Sequence, residues 1–370
     1  MKGYYLFAPV EPACVGPESG VERKVRAQHA ALAKHLDCEL VILDPVKYTQ
    51  SLSERIIRRL PGTAAWRKWE YRGEFDDANF LYIRQVYHDA AFVRWLRDLK
   101  RSNPGVKIIY EIPTWPYLTE KQSTLSSLPF DRKELRNGPR AAKLCDRIVT
   151  FYGQDEIWGI PCIRLLNGYD FDRVTLPSRT LGDTIHILSV AANAFWHGYD
   201  RMLEGLGRYY EQGGTENIHY HLVGDILPEY EALVEKYKLS GHVTLHGRLY
   251  GEALADLYRL CTLGIDILGG HRKDYPVSSS LKSREYGAWG LPLVTSSPVD
   301  YMDADCPWQH LVPYDDSPVD IAAVLRYHRE TYARGDADTV AAAIRDFAYQ
   351  SCHMDAAMAP VVRWLSEGSK

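Results

Sequence analysis

In the stretch SSSLKSREYGAWGLPLVTSS, Ser278 to Ser297, one carboxylate stands where a helix would place an apolar side chain. If a helix starts at Ser279 or Ser280, then Leu281, Glu285, Ala288 and Trp289 share one face, so Glu285 interrupts an apolar stripe. A carboxylate in such a stripe is costly without a hydrogen-bonding partner, and the start of the helix is where one would be met. Ser278, Ser279 and Ser280 read as a helix N-cap with free amide donors, and Lys282 adds a positive charge on the first turn. Amides and a cation together suit a phosphate. The plainer alternative is a surface pair of Lys282 with Glu285 at i, i+3, worth a few tenths of a kcal/mol.

Other charged residues and glycines stand at the ends of apolar strands. Arg84 closes FLYIR, and Glu111 follows Tyr110 in YEIP. Either the two pair and hold their strand ends, or they line a cleft, with Glu111 toward a reacting hydroxyl and Arg84 toward an acceptor phosphate. After the first strand, PVEPACVGPESGVERKV carries Gly16 and Gly20 into a helix start; it lacks the G-x-G-x-x-G spacing and reads equally as a plain loop. Gly224 in LVGD and Arg248 in LHGRL end later strands, where glycine lets backbone approach a ligand.

These residues need strands that end together. Strand patterns at Tyr4–Ala8, Glu39–Leu43, Phe80–Arg84, Val106–Ile112, Arg147–Phe151 and Cys162–Leu166 alternate with helical ones such as Val21–Leu36 and Asp89–Lys100. A second series comprises Thr184–Val190, Ile218–Gly224, Val243–Leu249, Leu263–Leu268 and Leu291–Thr295, with Tyr230–Tyr237 and Glu252–Leu260 among its helices. Such alternation predicts parallel sheets covered on both faces, with ligands beyond the carboxyl ends of the strands. YDFDRVTLPSRTLGD, polar and aperiodic, is the expected linker. The expectation is an α/β chain of two doubly wound halves facing a central cleft: residues 1–170, residues 171–345, and closing helices in 346–370 that return toward the first half.

Composition narrows the class. The chain has 370 residues, a formal net charge of −4 and 25 tyrosines. That length accommodates two cores, and the charge gives no general basic field, so nucleic acid is not an expected partner. No apolar run reaches the roughly 18 residues of a membrane span, and Met1-Lys2-Gly3 leads into a strand rather than a signal peptide. Seven scattered cysteines without a C-x-x-C pair fit a reduced, cytoplasmic setting.

GRLYGEALADLYRLCTLGIDILGG followed by SLKSREYGAWGLPLVTS resembles the donor-binding half of the retaining glycosyltransferases of family 4, which have the GT-B fold of two Rossmann-like domains. SGVERKVRAQHAALAKH resembles their first loop and helix, and NGYDFD their interdomain turn. The S-L-K-x-x-E-Y pattern resembles a variant branch. The resemblance implies that Glu285 accepts hydrogen bonds from the ribose of a nucleoside-diphosphate sugar, with the amides at Ser280 and Leu281 near the diphosphate. It also implies a glycan or lipid-linked acceptor, retention of anomeric configuration, a role in cell-surface polysaccharide assembly, and no cofactor or essential metal. The chain departs from the E-x7-E pattern, because Val277 occupies the first position. Asn193 and His197 replace the basic pair that holds the diphosphate, which leaves Lys282, Arg272 and His271 to supply charge. Glu111 stands in place of an acceptor-side histidine. A nucleotide-sugar epimerase and a non-catalytic nucleotide-sugar-binding or scaffold protein are the alternatives.

Three further features are weighed. His219 and His221 alternate on one strand face and read as core or edge residues, since a metal would need a third ligand. Asp303-Ala304-Asp305 reads as a turn. Residues 53–72 hold six basic against two acidic side chains, interleaved with Ile56, Ile57, Leu60, Trp66 and Trp69. That segment reads either as a membrane-surface contact, peripheral at the inner face, or as a mobile cleft loop.

Overall fold

The computed structural model describes residues 1–9, 19–44, 51–65, 67–84, 87–113, 115, 127–151, 153–192 and 194–367; the candidates Gly16 and Asn193 lie outside them. The chain divides into two compact units, Met1–Leu165 with Met354–Lys370, and Leu166–His353.

The first unit is built on strands β1 (Lys2–Phe7), β2 (Asp37–Ile42), β3 (Phe80–Arg84), β4 (Lys107–Ile112), β5 (Arg147–Thr150), β6 (Glu156–Ile157) and β7 (Ile160–Arg164). They form one sheet in the order β2-β1-β3-β4-β5-β7-β6, parallel apart from the β6/β7 hairpin. Strand side chains alternate between two cores, as period-two geometry requires. Tyr4, Leu6, Leu81, Ile83, Ile108 and Tyr110 pack against Phe92, Trp95, Leu96 and Leu99 of α3 (Ala90–Ser102). Tyr5, Phe7, Phe80, Tyr82 and Ile109 pack on the other face against Val25 and Leu32 of α1 (Gly20–Ala33) and Met358, Val361 and Leu365 of α11 (Met354–Glu367). Helices α2 (Leu52–Ile57) and α4 (Leu128–Ala142) complete this unit.

The second unit holds β8 (Ile185–Val190), β9 (Ile218–Val223), β10 (Val243–Gly247), β11 (Leu263–Ile265), β12 (Leu293–Thr295) and β13 (Gln309–Leu311) in a parallel sheet ordered β10-β9-β8-β11-β12-β13. Its helices are α5 (Tyr199–Glu211), α6 (Pro228–Lys236), α7 (Gly251–Leu260), α8 (Leu281–Ala288), α9 (Ile321–Tyr332) and α10 (Ala337–Cys352). From β8 the chain winds outward to β9 and β10, then returns to place β11 on the other side of β8. That reversal is the topological switch point, where the first loops on the two sides diverge and leave a crevice.

The segment expected to be a linker lies inside the second unit, just after its start, and is mostly exposed with a few packed side chains. Phe171 is fully buried, and the Arg179 guanidinium donates to the carbonyls of Cys261, Tyr258 (2.9 Å) and Trp289 (2.6 Å). Its polarity satisfies backbone acceptors at the ends of α7 and α8, a role that local composition does not distinguish from solvation. The C-terminal helices also divide: α10 stays with the second unit, whereas α11 belongs to the first.

Candidate functional site

The site is assembled at the switch point by the loops that follow β8 and β11. Gly198, at φ +70°, ends the first loop, and a Cβ there would come within 2.4 Å of the Gly269 nitrogen in the second. The Leu268 amide donates to the His197 carbonyl at 2.8 Å, which fastens one loop to the other. Asp266 follows the end of β11 with no solvent exposure, and its carboxylate accepts from Ser278 Oγ and Ser280 Oγ, both at 2.7 Å. Ser280 also caps α8 by accepting from the Ser283 amide at 3.1 Å. The buried acid therefore sets the position of the helix start. Among the described residues, the amides of Leu281 and Lys282 meet no acceptor, so the first turn of α8 presents two free donors.

Lys282 turns to Asp266, 3.6 Å from Oδ1, and to the Tyr199 hydroxyl at 3.3 Å, rather than to Glu285. Burial pulls its ammonium below the ordinary lysine value, against the pull of Asp266. Glu285 is half-buried and accepts from the Tyr169 hydroxyl at 3.4 Å. The buried side of α8 carries Ser283, Arg284, Tyr286, Gly287 and Ala288, whereas Leu281 is 45% exposed. This corrects the expected stripe: the charge in the core is Arg284, held by the carbonyls of Asn167 (3.1 Å) and Ser280 (3.0 Å), by Ser283 Oγ, and by Asp300. A guanidinium with that many acceptors can be buried, and its presence turns Glu285 toward the accessible side of the helix.

His197 stacks on Tyr199, and its Nδ1 accepts from the Ala194 amide at 3.0 Å. Burial, then the charges of Lys282 and Lys273, push the imidazole down to about 3. The ring is neutral, and the Ala194 bond places its proton on Nε2, making it a hydrogen-bond donor.

Arg272 and His271 reach carboxylates. Arg272 forms a two-pronged pair with Asp200 (2.8 and 2.7 Å) and donates to Asp316 (2.7 Å) and the Phe195 carbonyl (2.8 Å), while His271 Nε2 lies 2.9 Å from Asp316. Its hydrogen bonds to Asp200, above all, hold Arg272 firmly protonated, with its charge largely compensated. Gly224, at φ +134°, closes β9; Arg248 after β10 is paired through two bonds with Asp225 (2.6 and 2.8 Å), beside Tyr250, which is 69% exposed.

In the first unit, Arg84 and Glu111 are register partners on β3 and β4 and form an ion pair. Glu111 has no solvent exposure and also accepts from Gln28 Nε2 (2.9 Å) and the Tyr82 hydroxyl. Burial raises its carboxyl, but Arg84, Lys24 and these hydrogen bonds outweigh it and leave it below the usual range. Gly20 begins α1, which Ser19 caps. His221 lies between His186 (3.0 Å) and His246 (2.9 Å), and His219 reaches Thr244 (2.8 Å). Asp303 and Asp305 are exposed, with the Cys306 amide donating to the Asp303 carbonyl in a turn.

Asp266, Asp200 and Asp316 escaped the sequence reading. For Asp266 a signal existed: it follows an apolar strand as Arg84 and Glu111 end theirs, but it lay inside a run read as one longer strand, Leu263–Leu268.

No protein-family model matches the sequence, and no curated protein matches it. Solved structures do. Sucrose-phosphate synthase from Thermosynechococcus elongatus aligns over 100% of both chains at 14% identity (TM-score 0.57). Anabaena HepE in complex with UDP-glucose aligns over 100% of this chain and 99% of its own at 13% identity (TM-score 0.53). WaaG, a glycosyltransferase involved in lipopolysaccharide biosynthesis, aligns over 100% of both at 15% identity (TM-score 0.53). The chain has the GT-B fold. GT-B architecture accounts for the two Rossmann-like units and for the switch point in each sheet.

Proposed function

We propose that this GT-B protein is a retaining glycosyltransferase of the family 4 type. It would transfer a hexose from a nucleoside-diphosphate sugar to a glycan or lipid-linked acceptor in cell-surface polysaccharide or glycoconjugate assembly. The observation that carries the donor site is the start of α8 at the switch point: two unpaired amides, a desolvated Lys282 and an accessible Glu285 one turn on. The amides and Lys282 would stabilise charge developing on the leaving diphosphate, and Glu285 would accept from the ribose hydroxyls. Neutral His197 would donate through Nε2. Because Arg272 and His271 are engaged by Asp200 and Asp316, they position the loop after β11 in this reading instead of binding phosphate directly. Tyr250 offers an exposed aromatic face for the base. Arg84 and Glu111 hold two strand ends. No metal is required by this mechanism.

Glucose nucleotides are the first donors to test, since HepE is described with UDP-glucose. A thermal-shift series across nucleoside diphosphates should raise the melting temperature for the matching base, because a ligand of the folded state alone stabilises it. Product analysis with a sugar of the matched nucleoside diphosphate and an acceptor panel should then show transfer that persists in chelator. The compensated Arg272 favours a second reading, a protein that binds the nucleotide sugar without turning it over; ligand stabilisation without transfer, hydrolysis or epimerisation would select it. Epimerisation without acceptor would select the epimerase.

A further inference from the structure

We propose that α2 and the turn after it form a docking surface for an anionic lipid bilayer. No residue of this helix is buried: Leu52 is 74% exposed, Ile56 55%, Ile57 50%, and Leu60 just beyond it 51%. Four large aliphatic side chains within nine residues make an apolar patch of the kind that marks an interaction surface. The patch is held from beneath. Lys133 of α4 donates to the Arg58 carbonyl (2.6 Å), the Thr63 carbonyl (3.0 Å) and Thr63 Oγ1 (2.9 Å), and Asp89 accepts from the Ala65 amide at 2.7 Å. The segment thus projects its side chains while its backbone stays fixed to the first unit.

Charge selects the occupant. Arg55 and Arg59, both exposed, flank the aliphatic residues, Arg58 packs its guanidinium over the Phe130 ring, and Arg94 reaches the same turn through the Gly62 carbonyl at 3.5 Å. The one acid of the helix, Glu54, is engaged in the capping box with Ser51. Arginines around exposed leucine and isoleucine match a surface with phosphate headgroups above acyl chains, where the guanidinium groups stay at the headgroups and the aliphatic tips enter the boundary. A second copy of this face would bring its arginines against like charge.

The test is sedimentation of the full chain with vesicles of phosphatidylcholine alone and of phosphatidylcholine with 30% phosphatidylglycerol. Binding is expected only to the anionic vesicles, weakening as salt rises. The double substitutions Ile56→Ser/Ile57→Ser and Arg55→Glu/Arg59→Glu should each raise the lipid concentration for half-binding by about tenfold or more. Because these side chains project into solvent, the melting temperature and its shift by nucleoside diphosphate should be unchanged, which separates this surface from the donor site. Absence of binding to anionic vesicles, equal binding by either double variant, or a lipid-free dimer that the Ile56→Ser/Ile57→Ser chain loses would each overturn the proposal.

Discussion

The carboxyl ends of β3 and β4 in one unit and of β8 and β11 in the other both carry a buried acid with a basic partner, yet the two pairs are completed differently. Glu111 meets Arg84, Gln28 and Tyr82, so its charge is matched by donors within its own sheet and helix. Asp266 is matched by two serine hydroxyls, and its cation, Lys282, stands at 3.6 Å with a lowered pKa. Both oxygens of Glu111 are already engaged by donors of its own unit. An ammonium that is desolvated and only loosely paired gains from a second anion, particularly beside unpaired helix amides. In the proposed reading, the first cluster is architecture and the second receives the donor.

Breaking the closed pair should have the largest effect. Glu111→Gln leaves Arg84 buried beside a neutral group, and a loss of about 3–5 kcal/mol in urea denaturation is expected. Wild-type stability with transfer abolished would reverse the assignment and return Glu111 to the chemistry. Lys282→Ala should cost about 2–3 kcal/mol in diphosphate affinity by calorimetry, with the bare nucleoside barely affected. Equal losses for both ligands would remove Lys282 from the phosphate site. Glu285→Gln should weaken donor binding by about 1.5 kcal/mol, roughly tenfold, without changing the melting temperature. Unchanged donor affinity would sink the ribose assignment.

Acid should separate the two units, with the smallest effect per residue. Burial, then the neighbouring imidazoles of His219, His246 and His186, push His221 down to about 3, and burial pushes His328 to about 4. Neutral in the fold and titrating near 6.5 when unfolded, such groups contribute stability that is complete above about 6.5 and is lost as pH falls toward their folded values. Each would cost about 1.4 kcal/mol at pH 5.5. Glu111, held low, contributes above the ordinary glutamate value and loses that contribution only below it. Hydrogen exchange corrected for intrinsic rate should therefore rise in β8–β10 between pH 6.5 and 5 before β3–β4 responds. Simultaneous loosening of both sheets would show that the histidine row is not the acid-sensitive element.

Much of the fold was legible because strand and helix periodicities are local. Phe80–Arg84 was read to the residue, and β4, β8, β9 and α7 to within one or two residues. Long helices with strong stripes, such as α3, leave little choice of face. The candidate site was legible only where its chemistry lay in one turn, in Ser280, Lys282 and Glu285. Asp266 was hidden because its partners lie 12 and 14 residues onward, and Arg272 looked available because Asp200 and Asp316 are distant in sequence.

By itself, then, the sequence determined most of the strands, that they alternate with helices, and that two sheets result, because hydrophobic period and turn residues act over a few positions; the short β6 and β13 and the helices α4, α5 and α9 were not read. Tertiary structure decided which charges are closed and which are open. Arg84 with Glu111, Arg284 with Asp300 and Arg272 with Asp200 join residues from different elements. Whether a buried charge is matched depends on the donors and acceptors that packing brings within about 3 Å of it, and pattern along the chain does not encode that distance.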